Sequence, residues 1–286
     1  MRLGYITNGL VHHTLADAID LVADLGYTAL GITLDVTHLD PFRATDAELA
    51  RVRSHCEARG LAIAIETGAR FLLDPRAKHE PTLVSPDPAG RARRLDYYAR
   101  AVDVACALGA GVVSMWSGVL RPGVEEARAW GWLVDGIGAT CALAAARGVR
   151  VAFEPEPGML VATLAQFGEL VRRVGRPDLG LTIDLGHLEC VEDRPLSQHL
   201  APWRERLVHV HVDDIAGRAH HHLPIGEGEI DFEPLFRELG RIGYAGMALV
   251  ELSRDAHRAP EVARAAFARL SPLVAAATSA ADRGGR

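Results

Sequence analysis

The sequence predicts an α/β protein in which short apolar strands alternate with amphipathic helices along the whole chain. Eight strand–helix pairs fit into the 286 residues, which is the repeat number and the length of a (β/α)8 TIM barrel. The predicted strands are continuous apolar runs, a pattern typical of parallel strands covered on both faces. A doubly wound sheet usually carries a glycine-rich phosphate loop after its first strand, and residues 7–12 contain no such motif. We therefore predict a single barrel domain.

The individual elements follow from the apolar runs and from the glycines that end several helices, as the left-handed C-terminal cap favours. Strands are predicted over residues 2–7, 29–33, 61–66, 111–116, 149–154, 179–184, 207–212 and 246–251. Helices are predicted over residues 15–26, 46–60, 88–108, 125–148, 164–175, 195–203, 232–243 and 260–276, the sixth being short and weak. We predict that the barrel covers residues 1–278 and that residues 279–286 form a C-terminal tail.

The composition is that of an ordinary globular protein. Hydrophobic residues make up 49% of the chain and charged residues 24%, which excludes a disordered, collagen-like or coiled-coil protein. Lysine and arginine total 31 against 37 acidic residues, a formal net charge of -6. Because nucleic-acid binders and anionic-membrane binders need a basic face, neither nucleic acid nor membrane is an expected partner.

Three further features bear on chemistry and compartment. Lys78 is the only lysine and lies in a loop-like stretch, so Schiff-base chemistry is not expected. The four cysteines form no C-x-x-C pair, which predicts neither a disulfide framework nor a zinc ribbon. We recognise no signal peptide and no apolar run long enough to span a membrane, so a cytoplasmic protein is expected.

The last four predicted strands each end in a carboxylate or an imidazole, at the end of a barrel where chemistry takes place. Glu154, Asp184 and Glu251 close the fifth, sixth and eighth strands, and the seventh carries His209 and His211. A helix cap explains one such carboxylate but not the set, and burying several together is costly unless a divalent cation balances them. Oxygen ligands with one imidazole suit Mn²⁺, Mg²⁺, Co²⁺ or Zn²⁺. We expect His211 to be the ligand because it lies nearer the strand end, and His209 to fill the barrel interior.

Other polar residues near the strand ends each allow two interpretations. Trp116 ends the fourth strand and either forms the floor of a sugar site or fills the barrel mouth. Glu66 ends the third strand and is ambiguous in the same way. Glu156 is either a second acid beside the ion or a solvated residue. The three adjacent histidines that include His222 either contact substrate or a second ion, or lie in a surface loop.

These motifs, taken together, resemble the xylose-isomerase-like TIM-barrel superfamily of sugar isomerases and epimerases, to which apurinic endonucleases also belong. The similarity extends over residues 1–275 and is most specific in the second half. There a strand-ending Glu is followed by Asp-x-x-His (184–187), His-x-x-Asp (211–214), a His-x-x-Ile-Gly-x-Gly loop (222–228) and another strand-ending Glu. Any one of these pieces alone would be a weak signal.

The resemblance implies a metal-dependent isomerase or epimerase whose substrate is a small sugar, ketose or polyol. Glu154, Asp184, His211 and Glu251 would be the metal ligands, and His187 would contact a substrate oxygen. Glu154 and Glu251 would remove and return a proton beside a carbonyl by way of an enediolate. Barrels of this family often pair, which implies a homodimer.

Three alternatives remain open from the sequence. A dehydratase of a cyclic polyol or keto acid needs the same ion and base. An apurinic endonuclease is disfavoured because Glu66 and Trp116 stand where those enzymes place further zinc-binding histidines, and because the chain is acidic. A non-catalytic, metal-stabilised barrel is the third. Within the family, ketose 3-epimerases place a substrate-binding glutamate six residues after the first ligand, where this chain has Leu160, with Glu156 as a stand-in.

Overall fold

The computed structural model describes residues 1–284 and forms a closed barrel of eight parallel strands in sequence order, β1 to β8. The strands are β1 (Arg2–Ile6), β2 (Ala29–Thr33), β3 (Ala62–Glu66), β4 (Val112–Met115), β5 (Arg150–Phe153), β6 (Gly180–Asp184), β7 (Leu207–Val212) and β8 (Met247–Val250). The helices that follow them are α1 (Leu15–Asp24), α2 (Asp46–Ala58), α3 (Pro88–Leu108), α4 (Glu126–Ala145), α5 (Leu164–Val174), α6 (Leu185–Val191), α7 (Phe232–Arg241) and α8 (Ala259–Gly284). The predicted (β/α)8 fold is therefore confirmed.

Two helices differ from their predicted positions. The sixth helix was expected over residues 195–203, but α6 directly follows β6, because the Asp184 side chain accepts a hydrogen bond from His187 N and starts the helix there. The predicted segment instead holds two short 3-10 turns, Leu196–His199 and Ala201–Trp203. The last helix extends past its expected end, so residues 279–284 of the predicted tail are helical, and residues 285–286 lie outside the described residues. The division of the chain at residue 278 stays a prediction.

The chain packs into two compact units that interleave in sequence. The first consists of Met1–Gly31, His55–Ala62 and Leu181–Arg286, and the second of Ile32–Ser54 and Ile63–Gly180. In the first unit β1 pairs with β2 and with β8, and β7 pairs with β6 and with β8. In the second unit β4 pairs with β3 and with β5. Among the described residues, no helix combines the length and the apolar character needed to cross a lipid bilayer.

A glycine sets the packing of β1 against its two neighbours. Gly4 lies opposite Ala29 of β2 and Leu249 of β8. A Cβ atom on Gly4 would meet Cδ2 of Leu249 and would lie 2.5 Å from the carbonyl oxygen of Ala29. A backbone oxygen held in a strand ladder cannot move aside, so the position admits glycine and little else.

A buried arginine in the second unit binds a turn and an aromatic ring beside the end of β4. Arg94 of α3 is fully buried, and its Nε and Nη2 donate hydrogen bonds to Pro81 O at 2.7 Å and to His79 O at 2.6 Å. Its guanidinium carbon lies 5.2 Å from the centre of the Trp116 ring. The His79 ring meets the same tryptophan edge-on, with ring centres 5.3 Å apart. Arg94 therefore fixes both the turn at residues 79–81 and the setting of Trp116.

Replacing Gly4 with alanine should destabilise the protein by about 1–3 kcal/mol, because the added methyl group overpacks the barrel interior. Gly138→Ala is the matched control, since Gly138 lies in α4 with nothing within 4 Å of an added Cβ. That control should be neutral or should stabilise α4 by up to about 1 kcal/mol. Urea unfolding of both variants measures the difference, and equal midpoints would contradict the packing argument.

Replacing Arg94 with leucine should cost about 3 kcal/mol of unfolding free energy, because two backbone carbonyls lose a charged donor in a buried setting. Arg93→Leu removes the neighbouring, exposed guanidinium and should change stability by no more than about 0.5 kcal/mol. Thermal and urea unfolding of both variants test this expectation. A small effect of Arg94→Leu would mean that the turn at residues 79–81 is held by other contacts.

Candidate active site

Three of the four predicted metal ligands come together in the first unit. Asp184 is the last residue of β6, His211 lies in β7 directly opposite it, and Glu251 follows the last residue of β8. The backbone hydrogen bond from Glu251 N to Val212 O, 3.0 Å long, keeps the end of β8 in register with β7. Each of the three side chains offers one ligand atom, and these atoms lie within 4.8 Å of one another. Parallel strand register thus brings the three residues to one end of the sheet.

The two carboxylate oxygens of Glu251 have different partners. Its Oε2 lies 3.2 Å from His211 Nδ1, and its Oε1 accepts a 2.7 Å hydrogen bond from Asn8 Nδ2. Burial by itself raises the pKa of a carboxyl, but the hydrogen bond with His211 and the charge of His222 outweigh burial and hold the pKa of Glu251 well below its usual range. Glu251 is therefore ionised and fixed in orientation.

The donor set of Asp184, His211 and Glu251 fits a divalent cation. Asp184 and His211 are each only 2% exposed, and Glu251 is half-buried. A buried carboxylate this close to a second carboxylate needs a compensating positive charge. Two ligands of one octahedral ion lie roughly 3 Å apart, which is near the separation of His211 Nδ1 and Glu251 Oε2. Oxygen and imidazole donors of this kind suit Mg²⁺, Mn²⁺, Co²⁺ or Zn²⁺.

The other predicted residues at strand ends lie in the second unit. Glu154 follows β5 and is 6% exposed, and its backbone N donates a 2.8 Å hydrogen bond to Met115 O. Glu66 and Trp116, at the ends of β3 and β4, are 6% and 7% exposed. Glu156 is half-buried in a tight turn that ends at residue 161. All four remain candidate site residues on sequence grounds.

A second cluster in the first unit consists of His187, His220 and His222. The Nε2 atoms of His187 and His220 are 2.9 Å apart, so one ring donates a hydrogen bond to the other. The ring centres of His187 and His222 are 5.8 Å apart. Each of the three rings offers a nitrogen within 4.8 Å of the others, so the cluster is also able to hold an ion. The exposed His221 lies outside this cluster.

A fully buried carboxylate beside this cluster gives two of its histidines different charges at neutral pH. Asp213 Oδ2 lies 2.9 Å from His222 Nδ1. Burial opposes the protonation of His222, but the charge of Asp213 outweighs burial and raises the pKa of His222 to about 10. Burial, together with the neighbouring charge of His222, lowers the pKa of His220 to about 4. At neutral pH the cluster therefore contains a cationic His222 beside a neutral His220.

Sequence reasoning missed two residues of this site. Asn8 lies two residues after the end of β1, and Asp213 directly follows β7, so both obey the strand-end rule that selected the other candidates. Asn8 carries no charge, so the cost of burying charge, which marks the strand-ending acids, gives no signal for it. His209, expected to fill the barrel interior, is fully buried, with its ring centre 4.9 Å from that of His211.

Comparison with known proteins gives the family. Residues 19–273 match the model of the xylose isomerase-like TIM barrel. The chain is 27% identical to the L-ribulose-5-phosphate 3-epimerase UlaE of Salmonella paratyphi A over 256 residues, which cover 87% of this chain and 86% of that enzyme. It is 31% identical over 121 residues to the uncharacterized protein MJ1311 of Methanocaldococcus jannaschii, a stretch that spans 40% of this chain and only 41% of that protein.

The fold also matches solved structures. A crystal structure of the IOLI protein with a bound zinc atom superimposes with a TM-score of 0.77 at 19% sequence identity. The match covers 96% of this chain and 98% of that one. The match of the family model over most of the chain establishes that the protein belongs to the xylose isomerase-like TIM barrel family.

Proposed function

We propose that the protein is a divalent-metal-dependent epimerase or isomerase of a small sugar or sugar phosphate. The observation that carries the proposal is the grouping of Asp184, His211 and Glu251 at the ends of β6, β7 and β8. The similarity to a ribulose-phosphate 3-epimerase over most of both chains supports the substrate class. Catalysis in the cytoplasm by a homodimer stays a prediction from sequence.

Glu154 is the fourth ligand in this proposal. It directly follows β5, and β5 is the neighbour, in barrel order, of the strand that ends in Asp184. Adding Glu154 gives three carboxylates and one imidazole, a donor set typical of Mn²⁺ and Zn²⁺ sites alike. A zinc atom bound to the IOLI protein, which has the same fold, is consistent with an ion in this family.

The side chains divide the work of proton transfer. When bound, the ion would supply Lewis-acid stabilisation of the negative charge that develops on adjacent substrate oxygens. Glu251 would accept or return the proton through Oε1, which accepts the hydrogen bond from Asn8, whereas Oε2 faces His211. Glu154 would act on the opposite face of the same carbon. His187 would hold a substrate hydroxyl, with His220 as its hydrogen-bond partner.

Residues of the second unit would contact the rest of the sugar. Trp116 offers a rigid apolar face, and the contacts with Arg94 and His79 fix its ring. Glu66 and Glu156 would accept hydrogen bonds from substrate hydroxyls, and His222 would lie on the side of His187. Leu160, which stands where ketose 3-epimerases have a glutamate, is buried and 5% exposed, so we assign that contact to Glu156.

Removal of the ion should abolish activity. Treatment with a chelator should lower turnover of L-ribulose 5-phosphate or a related ketose by about a hundredfold or more, and Mn²⁺ should restore it.

Asp184→Asn should lose the ion as well, although an asparagine still accepts the hydrogen bond that starts α6. Asp193→Asn, an exposed change nearby, is the matched control. Elemental analysis and activity measure the outcome, and full activity in the metal-free protein would refute the proposal.

Glu251→Gln should remove the base and leave the fold intact, because glutamine keeps the size and shape of the side chain and its one carbonyl oxygen can still accept the hydrogen bond from Asn8. Exchange of solvent deuterium into the substrate should fall by about a hundredfold or more, as followed by NMR. Glu205→Gln, a change on the exposed surface, should leave exchange unchanged. Undiminished exchange in Glu251→Gln would exclude this residue as the base. A dehydrated product from the wild-type enzyme would show that the protein is a lyase and not an epimerase.

A further inference from the structure

The loop between β7 and α7 folds around the buried carboxylate of Asp214. Asp214 is 1% exposed, and its side chain accepts four backbone hydrogen bonds from the loop. Its Oδ1 accepts from the N–H groups of Ile215 and Ile230, at 3.0 and 3.1 Å. Its Oδ2 accepts from those of Gly226 and Gly228, at 2.8 and 3.0 Å. The carboxylate thus ties the start of the loop to its end.

Two glycines allow the loop backbone to reach this carboxylate. Gly226 has φ of +89°, a conformation that side-chain-bearing residues rarely adopt. A Cβ atom on Gly228 would collide with Asp214 Oδ1 and would lie 2.5 Å from Ile215 O. The Gly-x-Gly motif and the Asp of His-x-x-Asp are therefore two halves of one structural device, although they stand twelve residues apart in sequence.

The middle of the loop is strained and needs this support. Backbone hydrogen bonds of 2.9 and 2.7 Å pair Asp214 with Leu223. The residue before Leu223 is His222, whose φ of 48° is left-handed and costs about 1 kcal/mol or more for a residue other than glycine. Arg254 Nη2 adds a longer hydrogen bond, 3.4 Å, to the carbonyl oxygen of His220. The conformation that presents His220 and His222 is therefore imposed by the loop and is not one the chain prefers locally.

We propose that Asp214 is a positioning residue: it holds the β7–α7 loop in the one conformation that sets His220 against His187. The relevance to catalysis rests on the proposed function, in which His187 holds a substrate hydroxyl. The four hydrogen bonds of the Asp214 carboxylate come from backbone N–H groups of the loop, so its influence on His220 passes through the loop backbone. The proposal gives a role to the acid of the His-x-x-Asp motif, which takes no part in metal binding or proton transfer.

Asp214→Asn tests the proposal, because an asparagine has one carbonyl oxygen and leaves two of the four loop N–H groups without an acceptor. Hydrogen–deuterium exchange should accelerate about tenfold or more at the amides of Gly226, Gly228 and Ile230. Diethyl pyrocarbonate should modify His187 and His220 several-fold faster. With the metal content unchanged, kcat should fall about tenfold, because a displaced loop misplaces His187's partner.

Asp231→Asn is the matched control. Asp231 stands at the end of the same loop, where its side chain accepts a hydrogen bond from Glu233 N and starts α7. An asparagine caps a helix about as well as an aspartate, so exchange, modification and kcat should stay at wild-type values.

Gly228→Ala is the second variant, used if Asp214→Asn does not fold. It should reproduce the loosened loop because its Cβ displaces the Asp214 carboxylate.

The outcomes separate the two proposals. Unchanged exchange and histidine modification in both Asp214→Asn and Gly228→Ala would overturn the role of Asp214. A loosened loop with wild-type kcat and KM would reduce Asp214 to a structural residue and would overturn it as well. If the wild-type protein turns over no ketose, the proposed function fails, whereas exchange and modification of His220 still decide whether Asp214 sets the loop.

Discussion

Three carboxylates, the buried Asp184 and Asp213 and the half-buried Glu251, lie at or just beyond the ends of three neighbouring strands, and the need to neutralise them shapes the site. Two of them face imidazoles: Glu251 faces His211 and Asp213 faces His222. An imidazole can neutralise a carboxylate only if it gains a proton, or if both groups bind the same cation. The pairing of Asp213 with His222 takes the first route, and the donors around Asp184 are arranged for the second.

The same residues that build the site also start the neighbouring secondary structure. Asp184 Oδ1 caps α6 by accepting from His187 N, at 2.8 Å, and this places His187 in the first turn of the helix. Gly186, in that turn, lies so close to Asp213 that any side chain there would collide with the carboxylate. Displacing one of these residues would therefore disturb both the helix and the site, which explains why acid, glycine and histidine occur in so short a segment.

Hydrogen bonds to backbone N–H groups distinguish the two adjacent acids Asp213 and Asp214. Both are buried, but Asp214 accepts four such bonds and turns inward to the loop, whereas Asp213 meets His222. Side chains of successive residues point in opposite directions in an extended chain. This alternation gives one acid an electrostatic role beside the histidines and gives the other a structural role in the loop that carries them.

Much of the fold was predictable from local patterns. Apolar runs and glycine stops gave the number and order of the strands and most of the helices, because each strand buries both faces and each helix end leaves a recognisable signal. The predicted helix over residues 195–203 failed because Pro195 and Pro202 leave the segment in short 3-10 turns, while the capping hydrogen bond at Asp184 starts a helix earlier. Helix propensity along the sequence does not show that one side-chain cap will start a helix in place of a longer but weaker helical pattern.

The sequence by itself determined the eightfold alternation of strands and helices and the acids that end the strands, because burial of alternating apolar segments and the cost of burying charge act on each residue locally. Only the tertiary structure decided that Asn8 would hold Glu251, 243 positions away, and that Asp214 would clamp the loop bearing His220. Those contacts join residues that the closing of the barrel and the folding of a long loop bring together. No local periodicity specifies which distant groups will meet.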